Sequence, residues 1–422
     1  MLIFLLYLSL LLNIIYIIFR YKRSVQYEKQ LGFFLNPVLY LFIFSTFYLI
    51  VSSIILDYIP PSIFGVNIKQ ENFNFTQSVC IISNIIIFIF YLFIKDAKIN
   101  FLPVKIKNTI YIYYLSIIVL LISAYIAVIL FIYWQELFNL RENRAIAYNY
   151  YVDFVDKPYK IDLILYLSIA CCFFINILNT PKWLQALSFT PLILILGLEY
   201  SHGGRTISLK IILLLFFVFL FKKNILNKKI NIYKWSTFFL LLLLVGFLQR
   251  KSNSNDILNT TDIAILFGEF INTRLTMNLI YPYMGEGSIL EQLTFSFLGL
   301  LPSSIRDNLL DYSSTFDIIK NINNFDYGFA SNITSDAIYF YGNFYILNIL
   351  LICFILQISH RLLLTGNLVR LFYLIIITIN IQGFFRSSFF DYFFVYIYIT
   401  TVYLIFIWFP FYKKKIFTVN FK

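Results

Sequence analysis

Residues 109–133 read TIYIYYLSIIVLLISAYIAVILFIY, an unbroken stretch without a charged side chain. A helix of this length exceeds the roughly 30 Å of hydrocarbon in a bilayer. Lys105 and Lys107 stand before it, and Glu136, Arg141, Glu142 and Arg144 follow it. The same pattern recurs in both directions along the chain. The apolar runs are 2–19, 37–56, 77–94, 109–133, 161–178, 183–199, 206–221, 236–248, 333–357, 367–384 and 388–409. Short polar gaps separate them. With 60% hydrophobic residues, this composition excludes a soluble globular domain. The expected fold class is all-α, a polytopic integral membrane protein of about 11 transmembrane helices in one membrane domain spanning 1–422.

The gaps differ in charge. Every second gap is basic, from Arg20, Lys22 and Arg23 at the start to Lys413, Lys414 and Lys415 at the end. These gaps hold twenty of the 33 Lys and Arg residues but only two acids, Glu28 and Asp96. One face therefore carries about +18 and the other about −6. Basic gaps stay cytoplasmic during insertion, so the expected topology has the N-terminus outside and the C-terminus cytoplasmic. Leu2 to Phe19 lacks a basic flank before it and a small-residue cleavage site after it, so it reads as a retained span. The pI near 9.3 follows from topology, and no nucleic-acid partner is expected. Cys80, Cys171, Cys172 and Cys353 lie inside apolar runs, without a metal-like partner set.

The long outer segment 249–332 departs from a plain bundle. From Thr261 to Met284, Ile263, Phe267, Phe270, Ile271 and Arg274 share one helical stripe. Such a helix lies in the membrane interface or packs on the bundle. Ser288 opens an S-x-x-E capping box with Glu291, and Ile289 to Leu301 is too short to span. A re-entrant or interfacial helix is expected there. The Asn-, Asp- and Ser-rich stretch from Ser303 to Tyr327 suits a mobile lid.

Phosphate recognition is the only chemistry these residues suggest together. Glu199-Tyr-Ser-His-Gly-Gly-Arg205-Thr joins two spans at the outer surface. The following helix N-terminus offers free N–H groups to an anion, and Arg205 offers a planar fork. The alternative is a glycine turn with an interfacial arginine anchor. Lys210, one turn deeper, either snorkels or helps bind the anion. Arg274 binds a phosphate, pairs with a carboxylate such as Glu269 or Asp336, or snorkels. Arg141, Arg144 and Arg386 are further anion ligands or solvated charges. For a catalytic base the candidates are His202, Glu199, Glu269 and Asp336. His360 falls in a basic gap and reads as structural.

The arrangement resembles the oligosaccharide repeat-unit polymerases, the Wzy-type O-antigen and capsule polymerases. Three places carry the resemblance: Ser201-His-Gly-Gly-Arg205-Thr, the Arg274 to Gly285 spacing in the largest outer loop, and Gly328-Phe-Ala-Ser-Asn-Ile-Thr-Ser335 leading to Tyr341-Gly-Asn-Phe344. A second Arg-x10-Gly is missing from the earlier outer loops. The resemblance implies an enzyme of the bacterial cytoplasmic (inner) membrane. It would polymerise undecaprenyl-diphosphate-linked oligosaccharide units at the outer face, with diphosphate as leaving group. It implies no cofactor, no nucleotide sugar and no required metal. The implied partners are the lipid-linked oligosaccharide, membrane lipid, a chain-length regulator and a flippase.

Two rivals remain. A flippase or other polysaccharide transporter would place ionisable groups near the midplane of broken, repeated helices. Here charge gathers at the outer rim and the chain shows no repeat. An O-antigen ligase-like transferase is expected to use an outer-loop histidine, and 249–332 contains none.

Overall fold

The computed structural model describes residues 2–59, 61, 68–101, 109–140, 144–178, 180–202, 206–225, 260–298, 332–364, 367–385 and 417–420, with positions 389, 393, 397, 400 and 401. Helices dominate: α1 (Leu2–Gln26), α2 (Pro37–Tyr58), α3 (Gln70–Phe93), α4 (Thr109–Leu140), α5 (Ile161–Ile177), α6 (Lys182–Ser201), α7 (Thr206–Ile225), α8 (Thr260–Ile280), α9 (Ile289–Leu298), α10 (Ile333–Leu363) and α11 (Leu368–Ile379). Six of them, α1, α2, α3, α4, α6 and α10, are long and apolar enough to cross a membrane. A seventh span results if Ile146–Tyr159 and α5, bent by 63°, form one crossing. Lys160 makes that bend in the left-handed region, at φ 54°. The chain is a predominantly helical membrane protein. Its apolar exterior agrees: Phe131 is 89% exposed and Phe93 75%, positions that only lipid solvates well. The run 236–248 lies outside the described residues, as do most of 388–409 and the expected lid at 303–327.

Local chemistry sets several boundaries. Asn36 caps α2, its side chain accepting from Val38 N–H at 3.0 Å, with Pro37 at the first helical position. Asn332 and Ser335 close a capping box on α10. Ser288 and Glu291 close another before α9, at 2.8 and 3.2 Å. Three of the described spans are not regular. The middle of α2, Thr46–Val51, is wound as a π-helix, α6 is broken by a turn at Ser188 and Phe189, and α10 is interrupted by a 3-10 turn at Gly342–Phe344.

The helix ends sort into two groups. At one end, Arg20 on α1 donates to the carbonyl of Tyr91 at 2.5 Å and to that of Ile94, and it bridges Asp96 at 2.9 Å. Burial pushes the Asp96 carboxyl up, and the Arg20 charge opposes that shift. Phe34 packs edge-on against Phe216 at this end. Strands β1 (Lys98–Phe101) and β2 (Phe417–Asn420) pair antiparallel there, Lys98 opposite Asn420. At the other end, the C-terminus of α2 and the N-terminus of α3 meet α8, and α6 turns into α7. The basic gaps bordering the described helices thus cluster at one end, and the candidate chemistry at the other.

The helix α8 differs from the single apolar stripe expected of it. From Thr273 to Asn278 every side chain is buried, so this half is enclosed by protein on all sides. Its polar residues are tolerated because neighbouring helices satisfy them. Asn332, for example, donates to the carbonyl of Thr273 at 2.6 Å.

Candidate functional site

Arg274 is 0% exposed and stands among α2, α3 and α8. Its Nε donates to Ser53 Oγ at 2.9 Å, and its two terminal nitrogens donate to Thr76 Oγ1 at 3.0 Å and Asn278 Oδ1 at 3.3 Å. The Phe73 ring lies 5.7 Å from the guanidinium carbon. Thr76 also donates to Asn278 Oδ1. Arg274 makes no salt bridge among the described residues, so the expected carboxylate partner Asp336 is not its partner. Helix geometry accounts for part of this cage. Asn278 lies one turn beyond Arg274 on the same face, and Ser53 lies one turn before Asp57 on α2. Asp57 Oδ1 accepts from Gln77 Nε2 at 2.7 Å, and Gln77 follows Thr76 directly.

Glu199 and Lys210 form a second cluster around the start of α7. The helix N-terminus there does hold an anion, but one the chain supplies itself. The Glu199 carboxylate, 2% exposed, accepts from Ile207 N–H at 2.7 Å, from Ser208 N–H, and from Ser208 Oγ at 2.5 Å. Lys210, 7% exposed, donates to Tyr166 Oη at 3.1 Å, and Tyr166 donates to Asn380 Oδ1 at 2.6 Å. It is therefore held inside the bundle and does not snorkel. His202 is buried against Tyr151, ring centroids 3.9 Å apart, with Nδ1 at 3.0 Å from the Leu198 carbonyl. A carbonyl only accepts, so Nδ1 carries a hydrogen.

The two clusters approach one another through the end of α11. Two residues past Asn380, Gln382 donates to Tyr48 Oη at 3.4 Å. Tyr48 packs on Phe270 at 4.6 Å, one turn from Arg274 on α8. The structure thus links Lys210 and Arg274 through one short segment, 380–385. Asp336 is buried near the N-terminus of α10. Arg205, Arg141 and Arg386 lie outside the described residues, and only the helical backbone is described for Arg144 and Glu269.

Ser53, Asp57, Thr76, Gln77 and Asn278 are the residues that reading the sequence missed. The Arg274–Asn278 spacing on one helix was a usable signal. The approach of Thr76, 198 positions away from Arg274, had none in the sequence.

The class these features define is a predominantly helical membrane protein with a caged arginine at its less basic end. No protein-family model, curated protein or solved structure matches the chain.

Proposed function

We propose that the protein polymerises oligosaccharide units carried on a lipid diphosphate, at the outer face of the bacterial cytoplasmic membrane. In this reading the chain crosses the bilayer eleven times, with the N-terminus outside and the basic end cytoplasmic. The caged arginine then sits on the outer side, where lipid-linked units gather. The growing glycan leaves its lipid and joins the sugar of an incoming unit, with diphosphate as leaving group. Charge develops on that diphosphate in the transition state, and fixed cations in a water-poor site stabilise it strongly.

One observation carries the reading: Arg274 is buried with neutral partners only. A guanidinium that touches no carboxylate among the described residues is costly in such a place, and an anionic ligand removes that cost. The diphosphate engages it by replacing the hydroxyls of Ser53 and Thr76 as acceptors. Lys210 supplies a second cation, and Arg205, Arg141, Arg144 and Arg386 are proposed to line the path. The base is drawn from His202, Glu199, Glu269 and Asp336 or from the newly recognised Asp57.

The test is reconstitution of the whole protein in liposomes with undecaprenyl-diphosphate-linked repeat units extracted from the host membrane. We expect a ladder of products, lost in Arg274→Met and in Arg205→Ala. A ladder that survives both substitutions overturns the site assignment.

A second reading, transport of the same lipid-linked unit, draws on the interrupted helices: the 63° bend before α5 and the 3-10 break in α10. The same liposomes separate the two, because a carrier moves the unit across the bilayer without lengthening it.

A further inference from the structure

We propose that Asp57 takes the proton from the attacking sugar hydroxyl, an assignment that rests on the polymerase reading above. Asp57 ends α2 one turn past Ser53, which accepts from Arg274. Gln77, next to the Thr76 that also accepts from Arg274, fixes Asp57 Oδ1 at 2.7 Å. The carboxylate therefore stands between α2 and α3, within the electrostatic reach of the guanidinium. Among the described residues, Tyr7 on α1, hydrogen-bonded to Tyr58 at 2.8 Å, also lies within reach of its charge.

Three groups in this region, Asp57, Asn278 and Arg274, hold polar atoms or N–H groups that no hydrogen bond among the described residues uses. Asp57 Oδ2 is buried and accepts no hydrogen bond among the described residues. Asn278 Nδ2, on a residue 3% exposed, donates no hydrogen bond among the described residues. Arg274 places three of its five N–H groups, leaving two. Buried polar atoms are ordinarily paired. One open acceptor beside two sets of open donors fits a ligand that brings a hydroxyl hydrogen and anionic oxygens together. An acceptor sugar next to a diphosphate is such a ligand. Glu199 is less suited, because both its oxygens are engaged at the start of α7.

The acceptor O–H bond breaks and its proton passes to Asp57 Oδ2. The oxygen bonds to the anomeric carbon. The bond from that carbon to the lipid diphosphate breaks, its electron pair leaving with the diphosphate beside Arg274. Asp57 then returns the proton to water.

Asp57→Asn keeps an oxygen for Gln77 but removes the base. In the liposome assay we expect ladder formation to slow by about 10²–10⁴-fold, with co-sedimentation of the labelled lipid-linked unit unchanged. In Asp57→Glu, which keeps the charge one methylene further out, activity returns in part and the acid limb of the pH–rate profile moves. A ladder within threefold of wild type in Asp57→Asn overturns the assignment and leaves the polymerase reading standing. If the Asn variant does not fold, Asp57→Glu decides alone: an acid limb identical to wild type overturns the assignment. A wild-type protein that makes no ladder overturns the polymerase reading, and this inference with it.

Discussion

Arg274 poses an energetic question at the scale of a single residue. Taking a guanidinium out of water costs several kcal/mol even after the surroundings relax. Three hydrogen bonds to neutral groups, together with a ring face 5.7 Å away, return only part of that cost. A purely structural role would be served as well by an apolar side chain of similar length. We therefore expect Arg274→Met to fold, with stability within about 1–2 kcal/mol of wild type, while losing ladder formation. The thermal midpoint in detergent, read beside the liposome assay, checks both halves. Loss of folding together with activity would instead assign Arg274 to architecture. Arg274→Lys is not expected to rescue, because an ammonium cannot span Ser53, Thr76 and Asn278 at once.

Among the elements, α1 shows how polar side chains hold a membrane bundle together. It is the most lipid-exposed span, yet Ser9 donates to Asn84 Oδ1 at 3.0 Å, and Asn13 donates to the same oxygen at 2.9 Å and to Thr46 Oγ1 at 3.0 Å. Asn84 in turn donates to Ser45 Oγ at 2.9 Å. Apolar contact adds little between helices already solvated by lipid, so such interhelical bonds carry much of the association. Asn84→Leu strips three bonds at once. It should loosen α1 by about 1–3 kcal/mol, seen as faster proteolysis within α1 and a lower thermal midpoint. A second element-level device ties the connection after α8 to the break in α10. Gly285 and Gly342 both have positive φ, 78° and 53°, and a Cβ on Gly342 would stand 3.3 Å from the Gly285 Cα. Gly285 N–H and Gly287 N–H donate to the carbonyls of Ile338 and Tyr339, both at 3.2 Å. The Arg274 to Gly285 spacing noted in the sequence therefore measures the distance from the caged cation to this clasp.

For the whole molecule, the separation of charge by end makes a topological prediction. The native cysteines are free and buried, so a single introduced cysteine reports on its own position. A cysteine at exposed Glu286, on the side of the caged arginine, should react with an impermeant thiol reagent in intact cells. One at Lys98, on β1 at the basic end, should react only after permeabilisation. The reverse pattern would place Arg274 facing the cytoplasm, where the proposed lipid-linked units are not used.

Membrane embedding and the positions of the six long apolar helices were legible in the sequence, because each depends on local composition. A run such as 109–133 has one stable solution in a bilayer, and Asn36-Pro37 or Ser288-x-x-Glu291 caps a helix using atoms a few positions away. The candidate site was legible only in outline. Arg274 stood out as a charge on an apolar stripe, but of the alternatives open to it the Asp336 salt bridge does not form. Glu199 turned out to sit on the helix N-terminus that a phosphate was expected to occupy. Both outcomes depend on which helices become neighbours. Ser53, Thr76 and Asn278 meet because three helices pack together, and Asp57 gains significance only from that meeting. Long-range packing of this kind is decided by side-chain fit between helices far apart in the chain, a property no single segment encodes.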